Sequence, residues 1–198
     1  MMRRTVDFFF DVGSPASYLA WTQLPGMCES HGAELVYRPM LLGGVYQATG
    51  NASPATIPVK GRYVQMDYER HARRYGVPFK ENVHFPIITL FLMRAVTGVQ
   101  LRRPEQLQQL LGCVFKALWI DALNLNEPQL TADILKAGGF DPAEIERLTQ
   151  DPETKAALKA TTEEAVKRGV FGAPTIFVGD QMFFGQDRMD FVREALAA

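Results

Sequence analysis

Strand-forming sequence is concentrated at the two ends of this 198-residue chain, so any sheet must be assembled from segments far apart in sequence. Near the N-terminus, Thr5 to Phe10 (TVDFFF) reads as a buried strand, closed by a tight loop at Asp11-Val12-Gly13. From Pro15 the apolar residues Ala16, Leu19, Ala20, Leu24, Met27 and Cys28 recur at three- and four-residue intervals, with Ser14 as N-cap and Pro15 at the first helical position. Pro25-Gly26 should kink or interrupt that helix, because proline removes a backbone donor. Glu34 to Arg38 (ELVYR) then alternates as a second strand. At the other end Thr175 to Val178 (TIFV), a turn at Gly179-Asp180 and Gln181 to Phe184 (QMFF) read as a hairpin. A last helix starts at about Asp187, with Met189, Phe191, Val192, Ala195 and Leu196 on its apolar side.

Neither terminal part can close a sheet alone. The expected architecture is therefore α/β, with residues 1–40 plus 166–198 as one domain and residues 41–165 as an inserted helical domain. Within the insertion, Leu41-Leu42-Gly43-Gly44 and GNASPATIP at 50 to 58 have the composition of loops. From Pro104 to Trp119 the residues Leu107, Leu110, Leu111, Val114, Phe115, Leu118 and Trp119 form an unbroken helical stripe, which is core packing. Shorter helices are expected near 60–75, 87–97, 128–137, 142–149 and 153–168, with Pro128, Pro142 and Pro152 in first turns.

Composition narrows the function classes. Lys+Arg number 21 against Asp+Glu 22, so no long-range field favours nucleic acid or an anionic membrane, and neither is an expected partner. No apolar run approaches the roughly 20 residues of a membrane span. The opening MMRRTVDFFFDVG is interrupted by Asp7 and Asp11 and does not read as a signal peptide. Cys28 and Cys113 match neither a redox pair nor a metal knuckle, which makes the cytoplasm the expected compartment. His31, His71 and His84 are scattered, and no metal is expected.

The order β-α-β, helical block, β-β-α, with an X-Pro before the penultimate strand, is the thioredoxin-type arrangement. Its reactive group sits at the N-terminus of the first helix, where redox members carry Cys-x-x-Cys. Here that stretch is Ser14-Pro15-Ala16-Ser17, so the protein's own residues cannot exchange disulfides. What remains is a hydroxyl beside the positive end of a helix dipole, suited to holding an anion or a thiolate brought by something else. Taken locally, Ser14 reads first as an ordinary N-cap, and it gains weight as a site residue only from the features that follow. The second feature is Gly172-Ala173-Pro174-Thr175, where a cis-proline would offer the Ala173 backbone to a peptide-like ligand. The third is Gly185-Gln186-Asp187-Arg188, whose amides and carboxylate would suit the zwitterionic end of an amino acid and would equally make a plain helix cap. Asn51, Lys60 and the regions of Tyr46 and His84 could face the same site, although each alone reads as solvated loop.

Four blocks in this order, FFFDVGSPASYLAW at 8 to 21, YRPMLLGGVYQATGN at 37 to 51, PVKGRY at 58 to 63 and GVFGAPTIFVGDQMFFGQDR at 169 to 188, resemble the 2-hydroxychromene-2-carboxylate isomerases and kappa-class glutathione transferases. These are DsbA-like thioredoxin folds with a helical insertion, and the resemblance covers essentially the whole chain. It implies glutathione as cofactor, a small aromatic acid as substrate and a homodimer. Carried over, Ser14 would be the catalytic residue, hydrogen-bonded to the glutathione sulfur, with Pro15 and Ala16 lining that end. Asn51 would complete the cradle, Ala173 beside Pro174 would pair with the cysteinyl backbone, and Gln186 with Asp187 would hold the γ-glutamyl end. Val45, Tyr46 and His84 would face the substrate. Tyr46 stands where the family often has lysine and Ile88 where it often has asparagine, so the departures lie at the substrate end.

A serine hydroxyl does not ionise near neutral pH, so it would act as donor to a thiolate and not as the nucleophile. Bringing a free thiol from a pKa of about 8.5 to about 6.5 takes roughly 2.7 kcal/mol, within reach of one charge-assisted hydrogen bond plus a helix terminus. The implied activity is isomerisation by reversible thiolate addition. A kappa-type transferase and a non-catalytic glutathione-binding module are the competing readings.

Overall fold

β1 (Thr5–Phe10) is buried on both faces, as its continuous apolar run requires. In the computed structural model, which describes residues 4–198, it lies inside a four-stranded sheet of order β2-β1-β3-β4. Met1, Met2 and Arg3 of the opening segment lie outside the described residues. β2 (Glu34–Pro39) pairs parallel to β1 with Val6 opposite Leu35. β3 (Thr175–Val178) runs antiparallel to β1 with Phe9 opposite Thr175, and β4 (Gln181–Phe184) closes the hairpin. The two ends of the chain thus share one sheet, as their β texture predicts.

The alternation within β1 divides the core. Phe8 and Phe10 stack at 4.9 Å and join the main apolar cluster, while Phe9 points to the opposite face and meets Phe177 edge-on at 5.8 Å. Arg168 covers that second face, its guanidinium 3.8 Å from the Phe177 ring centre and paired with Asp7 at 2.7 Å.

α1 (Pro15–Ser30) connects β1 to β2 and runs through Pro25 without interruption. Pro25 and Gly26 both lie on the exposed side of the helix. α2 (Leu42–Thr49) occupies a stretch whose two glycines pointed to a loop. Then follow α3 (Pro58–Tyr75), α4 (Leu90–Arg102), α5 (Leu107–Trp119), α6 (Pro128–Ala137), α7 (Pro142–Gln150) and α8 (Pro152–Lys167). The expected helix from Pro104 begins as a 3-10 turn, Pro104–Gln106, before α5 proper. The C-terminal helix is likewise preceded by a 3-10 turn, Gln186–Arg188, and α9 spans Met189–Ala197.

The helical block reaches back to the loop after β1. Val12 donates its N–H to Met93 Sδ of α4 at 3.3 Å, and its carbonyl accepts the Trp119 indole N–H of α5 at 2.9 Å. Gly13 must be small there, since a Cβ would stand 2.6 Å from Thr89 Cγ2. Trp119 is therefore core and also a strut of the loop that precedes Ser14. Trp119→Phe leaves the buried Val12 carbonyl without its donor and should cost about 1–3 kcal/mol, read from denaturant unfolding. An unchanged midpoint would show that the bond contributes nothing.

Candidate functional site

Ser14 caps α1, its Oγ accepting the Ser17 N–H at 3.1 Å and donating to the Ala173 carbonyl at 3.1 Å. It is 5% exposed. Its own N–H goes to the Asp11 carbonyl at 3.0 Å, and Pro15 has no N–H, so among the described residues Ala16 carries the unpaired amide of the first turn. No acidic side chain lies in that turn to offset the helix dipole. Ser17, at the second position of the would-be redox pair, is fully buried and its Oγ has no partner among the described residues.

The Ala173–Pro174 peptide is cis, as the sequence order suggested. The Pro174 carbonyl accepts the Gly185 N–H at 3.0 Å and so connects this loop to the 3-10 turn. Gly185 adopts φ 103°, a conformation that favours glycine, and a Cβ there would also collide with Asp187 Oδ1 at 2.5 Å. Gln186 is buried, its carbonyl accepting the Tyr75 hydroxyl at 2.5 Å and its Nε2 donating to Asp67 at 3.3 Å. Asp187 is exposed and pairs with the neighbouring Arg188 at 2.5 Å. Asn51 donates to the Phe171 carbonyl at 2.8 Å, which attaches the end of α2 to the Ala173 loop.

Ser14, Pro15, Ala16, Asn51, Ala173, Pro174, Gln186 and Asp187 are therefore joined by direct bonds or by short links of chain. The substrate-facing set is divided. Tyr46 is half-buried, its phenol pushed up by burial and by the Asp11 charge. Val45 is wholly buried with Phe9, Met40 and Phe177, so its side chain offers no surface to a ligand. His84 is exposed in a turn held by Asn82, which is anchored on the Leu118 and Leu123 carbonyls and not on the Ser14 loop.

Sequence reading missed a stripe on α3. Asp67, His71 and Tyr75 recur every four residues, which places them on one helix face. His71 Nδ1 lies 3.2 Å from Asp67 Oδ2, and burial pushes Tyr75 up to about 12. Tyr68 is pushed to about 12 as well, by burial first and then by the charges of Tyr46, Asp67 and Asp187. That four-residue spacing was the available signal.

Asp11 was read as part of a loop and is the most heavily used side chain here. Its carboxylate accepts from Gly13 N–H at 2.9 Å, Leu42 N–H at 2.9 Å and Thr89 Oγ1 at 3.0 Å. Burial pushes the carboxyl above its ordinary value of 3.8, against the pull of those hydrogen bonds. Cys28 and Cys113 are free thiols away from these residues, with Cys28 pushed by burial to about 11. Among the described residues no helix is long and apolar enough to cross a membrane, and no group of three or more His, Cys, Asp or Glu is placed to hold a metal ion.

A mixed sheet with a helical insertion, a capped helix start facing a cis-proline loop and serines in place of the redox cysteines define a thioredoxin-type protein without its own disulfide chemistry. The family model of the DSBA-like thioredoxin domain matches residues 5–197, and the chain belongs to that family. A 2-hydroxychromene-2-carboxylate isomerase of Sphingobium xenophagum is 32% identical over 200 residues, covering 98% of this chain and 99% of its own. Glutathione S-transferase kappa 1 of Homo sapiens is 31% identical over 209 residues, covering 98% of this chain and 91% of its own. Among solved structures, a 2-hydroxychromene-2-carboxylate isomerase superposes with a TM-score of 0.82 at 28% identity, covering 98% of this chain and 94% of that one.

The raised Asp11 carboxyl has a consequence for stability. A carboxyl whose folded-state pKa lies above its unfolded one contributes its full stability below about pH 3.8, and loses it as pH rises through the folded value. Asp11→Asn cannot ionise, so its melting temperature relative to the native chain should be higher at pH 7 than at pH 4, measured by circular dichroism. A difference that stays constant or shrinks with rising pH would contradict the assignment.

Proposed function

We propose that this chain is a glutathione-dependent isomerase acting on 2-hydroxychromene-2-carboxylate or a similar acid of aromatic catabolism. The observation that carries the reading is the Ser14 hydroxyl at the start of α1, bonded across to the Ala173 carbonyl in a chain whose site holds no thiol of its own. Its likeness along nearly the full length to proteins named for that isomerisation supports the choice of substrate class.

The residues fit glutathione. Ser14 has one proton to give, and a thiolate beside it would draw that proton away from Ala173, leaving the Ala173 carbonyl to accept a peptide N–H such as a cysteinyl backbone offers. The Ala16 N–H, unpaired among the described residues, and the positive end of α1, whose first turn holds no acidic side chain, add to the stabilisation of an anion there. Asp187 and Asp67 suit an ammonium group, and Gln186 and Asn51 fix the loops on either side. Bound there, glutathione would supply a thiolate that adds reversibly to an electrophilic carbon and departs unchanged. The chain would lower the thiol's pKa, orient it through Ser14 and present the Tyr46 ring to the acceptor. From the resemblance we also assign a homodimer, from the cysteine usage a cytoplasmic location, and from the separated β texture the division into a thioredoxin-like domain of residues 1–40 and 166–198 with a helical insertion of residues 41–165.

Ser14→Ala removes a hydrogen bond to a charged sulfur worth about 1.5–3 kcal/mol, so turnover should fall roughly 10- to 100-fold while the bound thiol's pKa rises. Asp187→Ala should weaken glutathione binding with little change in that pKa. Calorimetry and a thiolate absorbance titration read the pair, and unchanged values in both variants would remove the assigned roles.

Turnover itself distinguishes the readings. The rate on a chromene carboxylate should rise with glutathione and saturate, with total free thiol constant through many turnovers. Thiol consumed in step with product would instead identify a transferase, the activity for which the human relative is named. Glutathione bound without either reaction would leave a binding module.

A further inference from the structure

Asp11 is 1% exposed, and among the described residues no cation pairs with it, yet each of its carboxylate oxygens accepts a backbone N–H. Oδ1 holds Gly13, in the loop that delivers Ser14, while Oδ2 holds Leu42, the first residue of α2, and Thr89, which caps α4. The α2 N-cap is Leu41, which has no side-chain acceptor, so Asp11 caps that helix from 31 residues away. The Asp11 main-chain carbonyl also takes the Ser14 N–H. The bonds close a ring: Asp11 to Leu42, along α2 to Asn51, across to Phe171, on to Ala173, from there to Ser14, and back through Gly13.

We propose that Asp11 is the positioning residue of this site: its one carboxylate sets the Ser14 loop and the starts of α2 and α4 in a single register, and so places the Ser14 hydroxyl against the wall that carries Tyr46 and Asn51. The proposal rests on the glutathione reading only for its ligand measurement. A neutral isostere cannot substitute. Whichever way an asparagine amide is turned, its NH2 meets a backbone N–H at Gly13 or at Leu42, and one segment is released. Burying a carboxylate with no cation beside it among the described residues works against stability, so what Asp11 contributes is the arrangement of the site and not the strength of the scaffold.

The test compares Asp11→Asn and Thr89→Val with the native full-length chain, using amide resonances, calorimetry with glutathione and with S-methylglutathione, and thermal unfolding. In Asp11→Asn, the resonances of Ser14, of residues 42 to 46 and of residues 89 to 90 should all move. Both ligands should bind about tenfold or more weakly, with a melting temperature at pH 7 no lower than native. Thr89→Val breaks only the α4 tie and should give smaller shifts in the same three segments, with an intermediate loss of affinity. Shifts confined to residues 11 to 13, native affinity for both ligands, or a lowered melting temperature accounting for the whole loss would overturn the proposal. If the native chain binds neither ligand, the cofactor reading fails alone, and the spread of shifts across the three segments still decides the role of Asp11. Should Asp11→Asn not fold, Thr89→Val decides by the same criteria.

Discussion

A single buried carboxylate joins three chain segments around Ser14. Asp11 sits where β1 ends, and its acceptors are divided between the loop to α1, the start of α2 and the start of α4. Each partner is a helix start or the approach to one, where backbone N–H groups lack helical acceptors. Serving three such places with one side chain explains how an acid without a counter-ion is accommodated in the interior. Its hydrogen bonds offset part of the desolvation, although burial still prevails. The neighbouring contacts then have little freedom. Gly13 lies against Thr89, and Val12 is held from α4 and α5 on either side.

The same carboxylate marks what the sequence could and could not reveal. β1 was legible because TVDFFF is apolar on both faces, and Phe9 and Phe8 do go to opposite sides of the sheet. α1 was legible because its cap, Ser14, is local. α2 was not, since Gly43 and Gly44 weaken its propensity and the group that caps it, Asp11, lies 31 residues away in the loop after β1. Pro25 does not interrupt α1, and it stands on the exposed side of the helix with Gly26. At the site, Ser14, Ala173, Gln186 and Asp187 follow from three short motifs near helix and strand starts. Asp67 is brought to Gln186 only by tertiary packing, and the turn that carries His84 is held by Asn82, whose partners are the carbonyls of Leu118 at the end of α5 and Leu123 beyond it.

Exchange of cysteine for serine changes the demands on the helix start. A thiolate made by the chain itself needs permanent hydrogen-bond donors or positive charge beside it, whereas a serine hydroxyl is neutral and must be satisfied when nothing is bound. Ser14 meets this by accepting from Ser17 and donating to Ala173, so every part of its hydrogen-bonding capacity except one lone pair is engaged within the fold. The bond to Ala173 is also the one most easily released, because Ala173 is half-buried on a loop while Ser17 is part of α1. Ser17 itself, fully buried, cannot act as a second ligand-facing hydroxyl and serves through its N–H.

The contributions to the site come from opposite parts of the chain, and this separates what can vary from what cannot. The Ala173 loop and the turn at Gln186 are bonded to each other through Pro174 and Gly185, and to α3 through Tyr75 and Asp67. They form a rigid half fixed by backbone groups. The opposite half is edged by the segment before α4, where Ile88 is 78% exposed and held through its backbone by Asn126, which also binds the Pro86 carbonyl. Backbone anchoring at Ile88 and Pro86 leaves side-chain identity unconstrained along that edge, so an apolar residue can stand there without disturbing Asp11 or Ser14. On the proposed reading, the thiol end is fixed by the hydrogen-bonded ring around Asp11, while choice among aromatic acids is left to side chains such as Tyr46 and Ile88 that the ring does not use.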